Sequence, residues 1–356
     1  MRARVGIRIW AAAAVAAGAV LVVMSLVANA AFKEPPVGLK GVDVYRTDAF
    51  TTESVEDEFK RDLKELVDDQ LNFKMKEAAE IQAAVVAKLK ARGSFAYLDL
   101  SVVGYPLPHR GYFITVDVVD EKDKAERMPF RDAPTGSFED PDGLFATWGK
   151  YTQVLLKLSQ SGKLKAFDPK DCPVLYCMAR FDDSDLKEFL PQFNEGAVKN
   201  ADQLMQIAIE DKDAVKRGTA LILLAHTNDA ARVMPVLTKA IYDPDEIVRN
   251  NAMLVMVSIA NKGIDVDYPI ADLAKALDFP TTRGRNKAVA VLDILAKSKK
   301  YRDAIRQQAV PNLLKLLHLE QPNNHDWAYE TLKELSGKNY RDKDFDAWEK
   351  WAATRP

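Results

Sequence analysis

The sequence predicts an α+β protein in which a small α/β module precedes an all-α repeat array. Three observations carry that expectation. Between residues 39 and 122 the apolar spacing reads strand, helix, helix, strand, strand, and from 201 to 340 a short Arg-x-x-Ala-like tetrad recurs. The composition, 47% hydrophobic and 29% charged over 356 residues, supplies cores for about two domains. Seventeen Pro and 16 Gly are ordinary counts, which excludes collagen-like and low-complexity chains.

Arg2, Arg4 and Arg8 precede an uncharged run from Ile9 to Val27, and Ala28-Asn29-Ala30 sets small residues where a signal peptidase reads. Residues 1–30 are therefore expected to be a secretory signal. The 19-residue run is also long enough to stay as a membrane anchor, which is the alternative. The expected location is periplasmic or secreted, with membrane contact only if that segment is retained. Without it 47 basic residues face 52 acidic ones, a net charge of −5. Nucleic acid is excluded as a general partner, because phosphate neutralisation needs a cationic surplus.

Val42 and Val44 predict a short strand. Thr51 and Thr52, with Glu53 and Glu56, predict the capped start of a helix carrying Val55, Phe59, Leu63, Leu66 and Val67 on one face. A second helix is expected from Met75 to Leu89, ended at Arg92-Gly93 by a left-handed glycine. Two alternating runs, Tyr97 to Val103 and Tyr112 to Val119, are separated by Pro106, Pro108, Arg110 and Gly111, as hairpin strands would be. This order, with Ala91-Arg92-Gly93-Ser94-Phe95 entering the hairpin, resembles a POTRA domain. The resemblance implies binding of an extended peptide by adding a strand to an exposed sheet edge.

Residues 123–200 are expected to form a helical connector with a cysteine loop. A helix from Leu144 to Leu158 would bury Leu144, Trp148, Tyr151, Leu155 and Leu158, and another would start within Asp182 to Phe189 with acids in its first turn. Cys172 and Cys177 enclose Pro173-Val174-Leu175-Tyr176 and are expected to pair in an oxidising compartment, the alternative being two buried thiols. The loop entropy of such a staple is about 2 kcal/mol. Neither zinc nor C-x-x-C redox chemistry fits this spacing.

The tetrads are Arg217-Gly218-Thr219-Ala220, Arg249-Asn250-Asn251-Ala252, Arg285-Asn286-Lys287-Ala288 and the divergent His325-Asp326-Trp327-Ala328. Each alanine precedes an apolar residue four positions on: Leu224, Met256, Leu292 and Leu332. Such helix pairs bury a core only when stacked on neighbours. In the second unit Pro235, Asp243 and Val248-Arg249 stand in the Pro, Asp, Val-Arg order of a HEAT repeat, which the segment resembles. Asp211 precedes Arg217 likewise, Asp278 precedes Arg285 with one residue of slack, and the fourth unit has Pro311 alone. The resemblance, to exported bacterial HEAT-repeat proteins, implies an α-solenoid over 201–340 in which Asp receives the next helix's N-terminus and Arg bridges units. A final helix within 341–356 would cover its end with Trp348 and Trp351.

No catalytic motif places the four histidines, His109, His226, His318 and His325, beside a nucleophile. His325-Asp326 is half of a phosphohydrolase signature, and Asp140-Pro141-Asp142-Gly143 lacks the remaining acids of a calcium loop. Lys297, Lys299, Lys300, Arg302 and Arg306 read as a solvated turn. The expectation is a protein without catalytic centre, metal or cofactor, a scaffold that binds a polypeptide of the cell envelope through its repeat surface. The alternative is an exported hydrolase using His109 in the α/β module.

Overall fold

The computed structural model describes residues 37–106 and 108–354, so the expected signal at 1–30 lies outside the described residues. It is an α+β protein, mostly helical, with one three-stranded sheet near its N-terminus. Among the described residues no helix is long and apolar enough to cross a membrane. The chain divides into two compact units. One is Asp132–Asp267; the other joins the described part of Lys33–Arg131 to that of Tyr268–Pro356.

In the second, discontinuous unit, β1 (Leu39–Tyr45) leads into α1 (Thr52–Leu71), α2 (Met75–Lys90), β2 (Phe95–Tyr105) and β3 (Gly111–Asp120). The sheet order is β1-β3-β2, with β1 parallel and β2 antiparallel to the central β3. Thr51 caps α1 as expected, but its reciprocal partner is Ser54 rather than a glutamate. The apolar face of α1 packs in one core with Val42 and with Ile114, Val116 and Val118 of β3. Gly93 is not a left-handed cap: Ala91 ends α2 in the right-handed region. Space decides that glycine instead, since a Cβ there would stand 2.8 Å from the Phe95 ring.

The opposite sheet face is polar and equally buried, with Asp43, Tyr45, Thr115 and Asp117 inside. It meets the N-terminal ends of α11 (Thr282–Ala296) and α13 (Pro322–Ser336), which pack with α10 (Ile270–Ala276) and α12 (Lys299–Leu317). Arg285 of α11 is held on every donor. Its Nη2 reaches Asp117 Oδ1 at 2.5 Å and Thr282 Oγ1 at 3.0 Å, Nη1 reaches the Phe279 and Pro280 carbonyls, and Nε reaches Asn324 Oδ1. Asp117 also accepts from Ser101 and from the Thr282 N–H. Arg127, from the single-turn α3 (Lys124–Arg127), lies on the other side of the same layer. The Tyr45 ring contacts both guanidinium groups, at 3.9 Å from Arg285 and 5.1 Å from Arg127. In α14 (Phe345–Ala352) Trp348 and Trp351 are buried, Trp348 donating to the Arg341 carbonyl and packing on Tyr329 and Tyr340.

The continuous unit holds α4 (Leu144–Gln160), α5 (Phe189–Lys199), α6 (Ala201–Glu210), α7 (Ala214–Leu224), α8 (Ala230–Ala240) and α9 (Glu246–Asn261). All five expected residues of α4 are buried. The helix expected to start within Asp182 to Phe189 starts at Phe189, the last of those residues, without the expected acids in its first turn. Arg180 holds Asp182 and Asp183 takes the Asp185 N–H, so local side-chain bonds keep this stretch in turns. Cys172 and Cys177 form a disulfide with Cα atoms 5.6 Å apart. Their loop is docked by the Leu175 N–H on the Ala225 carbonyl and by Lys262 on the Cys172 carbonyl.

The tetrad arginines share one geometry. Arg217, Arg249 and Arg285 each donate Nη1 to the carbonyl six residues back: Asp211, Asp243 and Phe279. Arg217 in addition clasps the Asp243 carboxylate with two bonds, at 2.7 and 2.9 Å. Asp211 and Asp243 accept the N–H of Asp213 and Asp245, the residues that cap α7 and α9. Val248 is fully buried in α9, and Pro235 lies inside α8. The one-residue slack before Arg285 changes the third position. Phe279 supplies the carbonyl, and Asp278 instead accepts from Tyr45, Arg46 and Lys315. His325, at the fourth arginine position, bonds the Leu317 carbonyl through Nδ1.

Removing one partner of the Asp117–Arg285 pair leaves an uncompensated charge in the interior. Arg285→Ala should lower the unfolding free energy by about 3–5 kcal/mol. Arg285→Lys should recover only part, because an ammonium cannot occupy five acceptor directions. Urea unfolding followed through tryptophan fluorescence checks this, and a loss for Arg285→Ala below about 1 kcal/mol would count against the pair.

Candidate functional site

The feature most suited to binding is the outer edge of β2. Among the described residues β2 pairs with β3 alone, and α2 runs beside its free edge. A cleft of about 380 Å³ lies between them, lined by Val86 and Lys90 of the helix and by residues 95–99 of the strand. Leu100 shows which backbone groups face outward. Its N–H donates to Asp99 Oδ1 at 2.8 Å and its carbonyl accepts from Gln82 Nε2 at 3.0 Å, while Gln82 also donates to Asp99 at 3.2 Å. Strand alternation then turns the N–H and C=O of Leu98 and Val102 outward as well. The lining of the cleft mixes apolar and polar surface, Val86, Phe95, Ala96 and Leu98 standing beside Lys90, Tyr97 and Asp99.

A second cleft of about 380 Å³ adjoins the disulfide in the continuous unit, between Phe167, Pro173, Phe181 and Leu190, with Arg180 and Asp182 at its rim. Arg180 and Asp182 neutralise each other there, the ion pair holding the Asp182 carboxyl below its usual range. Asp171 also lines the cleft, so its largely apolar surface carries a second carboxylate beside the Arg180–Asp182 pair.

The histidines go four separate ways. His109 Nε2 stands 2.8 Å from Asp326 Oδ2, with side chains 35% and 46% exposed, beside Tyr105 and Phe113. His325 faces Leu317 and, at 3.4 Å, Asp342, so His325 and Asp326 do not act on a common point. His318 stacks on Phe345, and His226 lies among Phe181 and Phe193 with Nδ1 2.9 Å from Asn194 Oδ1. Burial holds His226 down to about 4, hence neutral. Asp140 accepts from the N–H groups of Phe145 and Ala146 and so starts α4, while Asp142 bonds Asn200 and Lys199. Among the described residues no group of three or more His, Cys, Asp or Glu is placed to hold a metal. Of the basic cluster, Lys297 pairs with Asp293, Arg302 with Glu334, and Arg306 bonds Thr354.

The sheet's polar face carries groups that sequence reasoning did not single out. Asp43 accepts the N–H groups of Glu320 and Gln321 at the start of α13, yet burial outweighs those bonds and raises it to about 6. The Tyr105 hydroxyl accepts from Gln321 and Asn323, and burial pushes it above its ordinary value. Burial pulls Arg127 down to about 10, still charged at neutral pH. Only the alternation of Thr115 and Asp117 with Ile114, Val116 and Val118 marks this face in the sequence. The repeat residues Asp211, Arg217, Asp243, Val248, Arg249, Asp278 and Arg285 are all buried.

No family model, curated protein or solved structure matches this chain.

Two buried groups give opposite acid responses. His226 is depressed in the folded protein, so the unfolded chain takes up the proton first and wild type loses stability as pH falls below about 6.5. Relative to His226→Gln it should lose about 2 kcal/mol between neutral pH and about pH 5. Asp43 is raised, so the folded protein holds the proton more tightly and wild type gains stability as pH falls through about 6. Relative to Asp43→Asn it should gain about 1 kcal/mol over the same interval. Urea midpoints of the three proteins at both pH values test the signs.

Proposed function

We propose that this protein is a non-enzymatic scaffold of the bacterial cell envelope that binds a polypeptide by adding it as a strand to β2. The observation that carries this function is the free β2 edge beside a cleft against α2. Main-chain bonds to Leu98 and Val102 would give affinity, and side chains seated between Val86 and Phe95 would give selectivity. The same edge fits the POTRA-like order of the module.

The helical pairs are, in this proposal, HEAT-like repeats. The recurrence of the arginine-to-carbonyl bond at Arg217, Arg249 and Arg285 supports that assignment. Export is supported by the signal-like residues 1–30 and by the disulfide, which suits an oxidising compartment. The net charge of −2 argues for a protein rather than a nucleic-acid partner.

Hydrolysis at His109 is the second function, carried by the 2.8 Å approach of Asp326. Both side chains are open to solvent, which suits a clasp between the β2–β3 loop and α13 better than a desolvated dyad.

A photoreactive residue at Ala96, within the cleft, should crosslink to a polypeptide when the protein is produced in its own envelope. Val102→Pro removes an outward N–H at an edge, where proline is tolerated, and should abolish that crosslink with the unfolding midpoint little changed. Crosslinking that persists unchanged in Val102→Pro would rule out strand addition.

A further inference from the structure

The turn between α1 and α2 departs from what folding alone would select. After Asn72 ends α1, the Phe73 N–H bonds the Gln70 carbonyl and the Lys74 N–H bonds the Asp69 carbonyl, closing the helix with a Schellman-type pair. Phe73 occupies the left-handed position of that motif, at φ 57, where glycine or asparagine is favoured and a bulky residue is an outlier. Its ring gains nothing in return from the core, being 77% exposed. Met75, two residues on, is 57% exposed. Neither backbone conformation nor packing accounts for an aromatic ring there.

Position adds a second constraint. The Val44 N–H bonds Thr52 at the end of β1, so α1 starts there and runs back over the sheet. α2 returns with Gln82 above Leu100 and Val86 and Lys90 beside the start of β2. The turn therefore lies at the end of the module where β1 begins. Twenty residues of helix span about 30 Å, whereas β1 runs back only about 17 Å from Val44, where α1 starts, to Leu39, so the turn lies beyond the start of β1. The chain enters this end from the uncharged run Ile9 to Val27, which is ten residues before Val37 and so at most about 35 Å from it.

We infer that the α1–α2 turn docks on a lipid bilayer surface, with Phe73 and Met75 entering the headgroup–acyl boundary and residues 9–27 retained as the anchor. A projecting apolar tip has no hollow to match it in a folded partner unless one is built, whereas a bilayer yields to it. Lys74 and Lys76 flank the tip with side chains 58% and 85% exposed, and their contacts to Asp69 and Glu80, at 3.3 and 3.8 Å, are surface pairs that leave both ammonium groups free to turn toward lipid phosphate. Asp68, Asp69, Glu77 and Glu80 outnumber these two lysines and limit adsorption of an untethered chain, so the anchor and the turn act together.

The test uses the full chain reconstituted in vesicles of phosphatidylcholine and phosphatidylglycerol. The two native cysteines are disulfide-bonded, so Phe73→Cys, Met75→Cys and, as a control on exposed α1, Lys60→Cys can each carry a single environment-sensitive dye. Dyes at 73 and 75 should shift to the blue and be quenched by lipids spin-labelled near the headgroup, several-fold more than the dye at 60. Phe73→Gly should leave the unfolding midpoint unchanged or raised, and should reduce quenching of a dye at 75 by half or more. Equal quenching at 60 and 73 overturns the inference. So does a shift at 73 that appears only when envelope protein is added, which would assign the tip to a protein partner.

Discussion

Burying Asp117 of the central strand against Arg285 is the constraint on which the discontinuous unit depends. Two opposite charges in a buried layer are tolerated only when their own remaining donors and acceptors are matched, and here all five guanidinium hydrogens of Arg285 find acceptors. That demand reaches well beyond the pair. It fixes the start of α11 through Thr282, the outer strand through Ser101, and α13 through Asn324. Tyr45 beneath the guanidinium then carries the network to Asp278 and Arg127. Such a layer specifies register more than it adds stability, because a one-residue slip of β3 would put Val116 or Val118 opposite Arg285.

The apolar half of this unit was legible in the sequence, since a helix face such as Val55, Phe59, Leu63, Leu66 and Val67 has one explanation. Its polar half was not. Thr115 and Asp117 alternating with valines describe a strand with one wet face, and nothing local says that α11 and α13 will cover it. The arginine tetrads were found because their spacing repeats, but the consequence of the extra residue before Arg285 depends on partners in β1 and α3. Likewise Gly93 lies under a ring two residues on rather than at a left-handed dihedral angle, and the start of α5 at Phe189 comes from side-chain bonds that compete with the helix. The β2 edge lay within the range the alternation marked, and the cleft beside it needed the third dimension.

An unpaired strand is a hazard as well as an opportunity, because any extended chain can extend the sheet. β2 meets that hazard at its midpoint. Gln82 and Asp99 occupy the N–H and C=O of Leu100 much as a neighbouring strand would. Indiscriminate pairing is thereby opposed by two bonds that must break first, and a peptide with well-seated side chains can supply that energy where a random one does not.

The discontinuity of the sheet-bearing unit also fixes an order of events. Asp117 and Arg285 are 168 positions apart, with the whole continuous unit between them. A chain emerging at about 5–20 residues per second leaves the polar sheet face without its partner for roughly ten to thirty seconds. During that interval α1 and α2 can close over their own side of the sheet, while Asp43, Tyr45 and Asp117 stay hydrated. The hydrophilic character of the face that is buried last keeps the half-made sheet soluble until the C-terminal helices arrive.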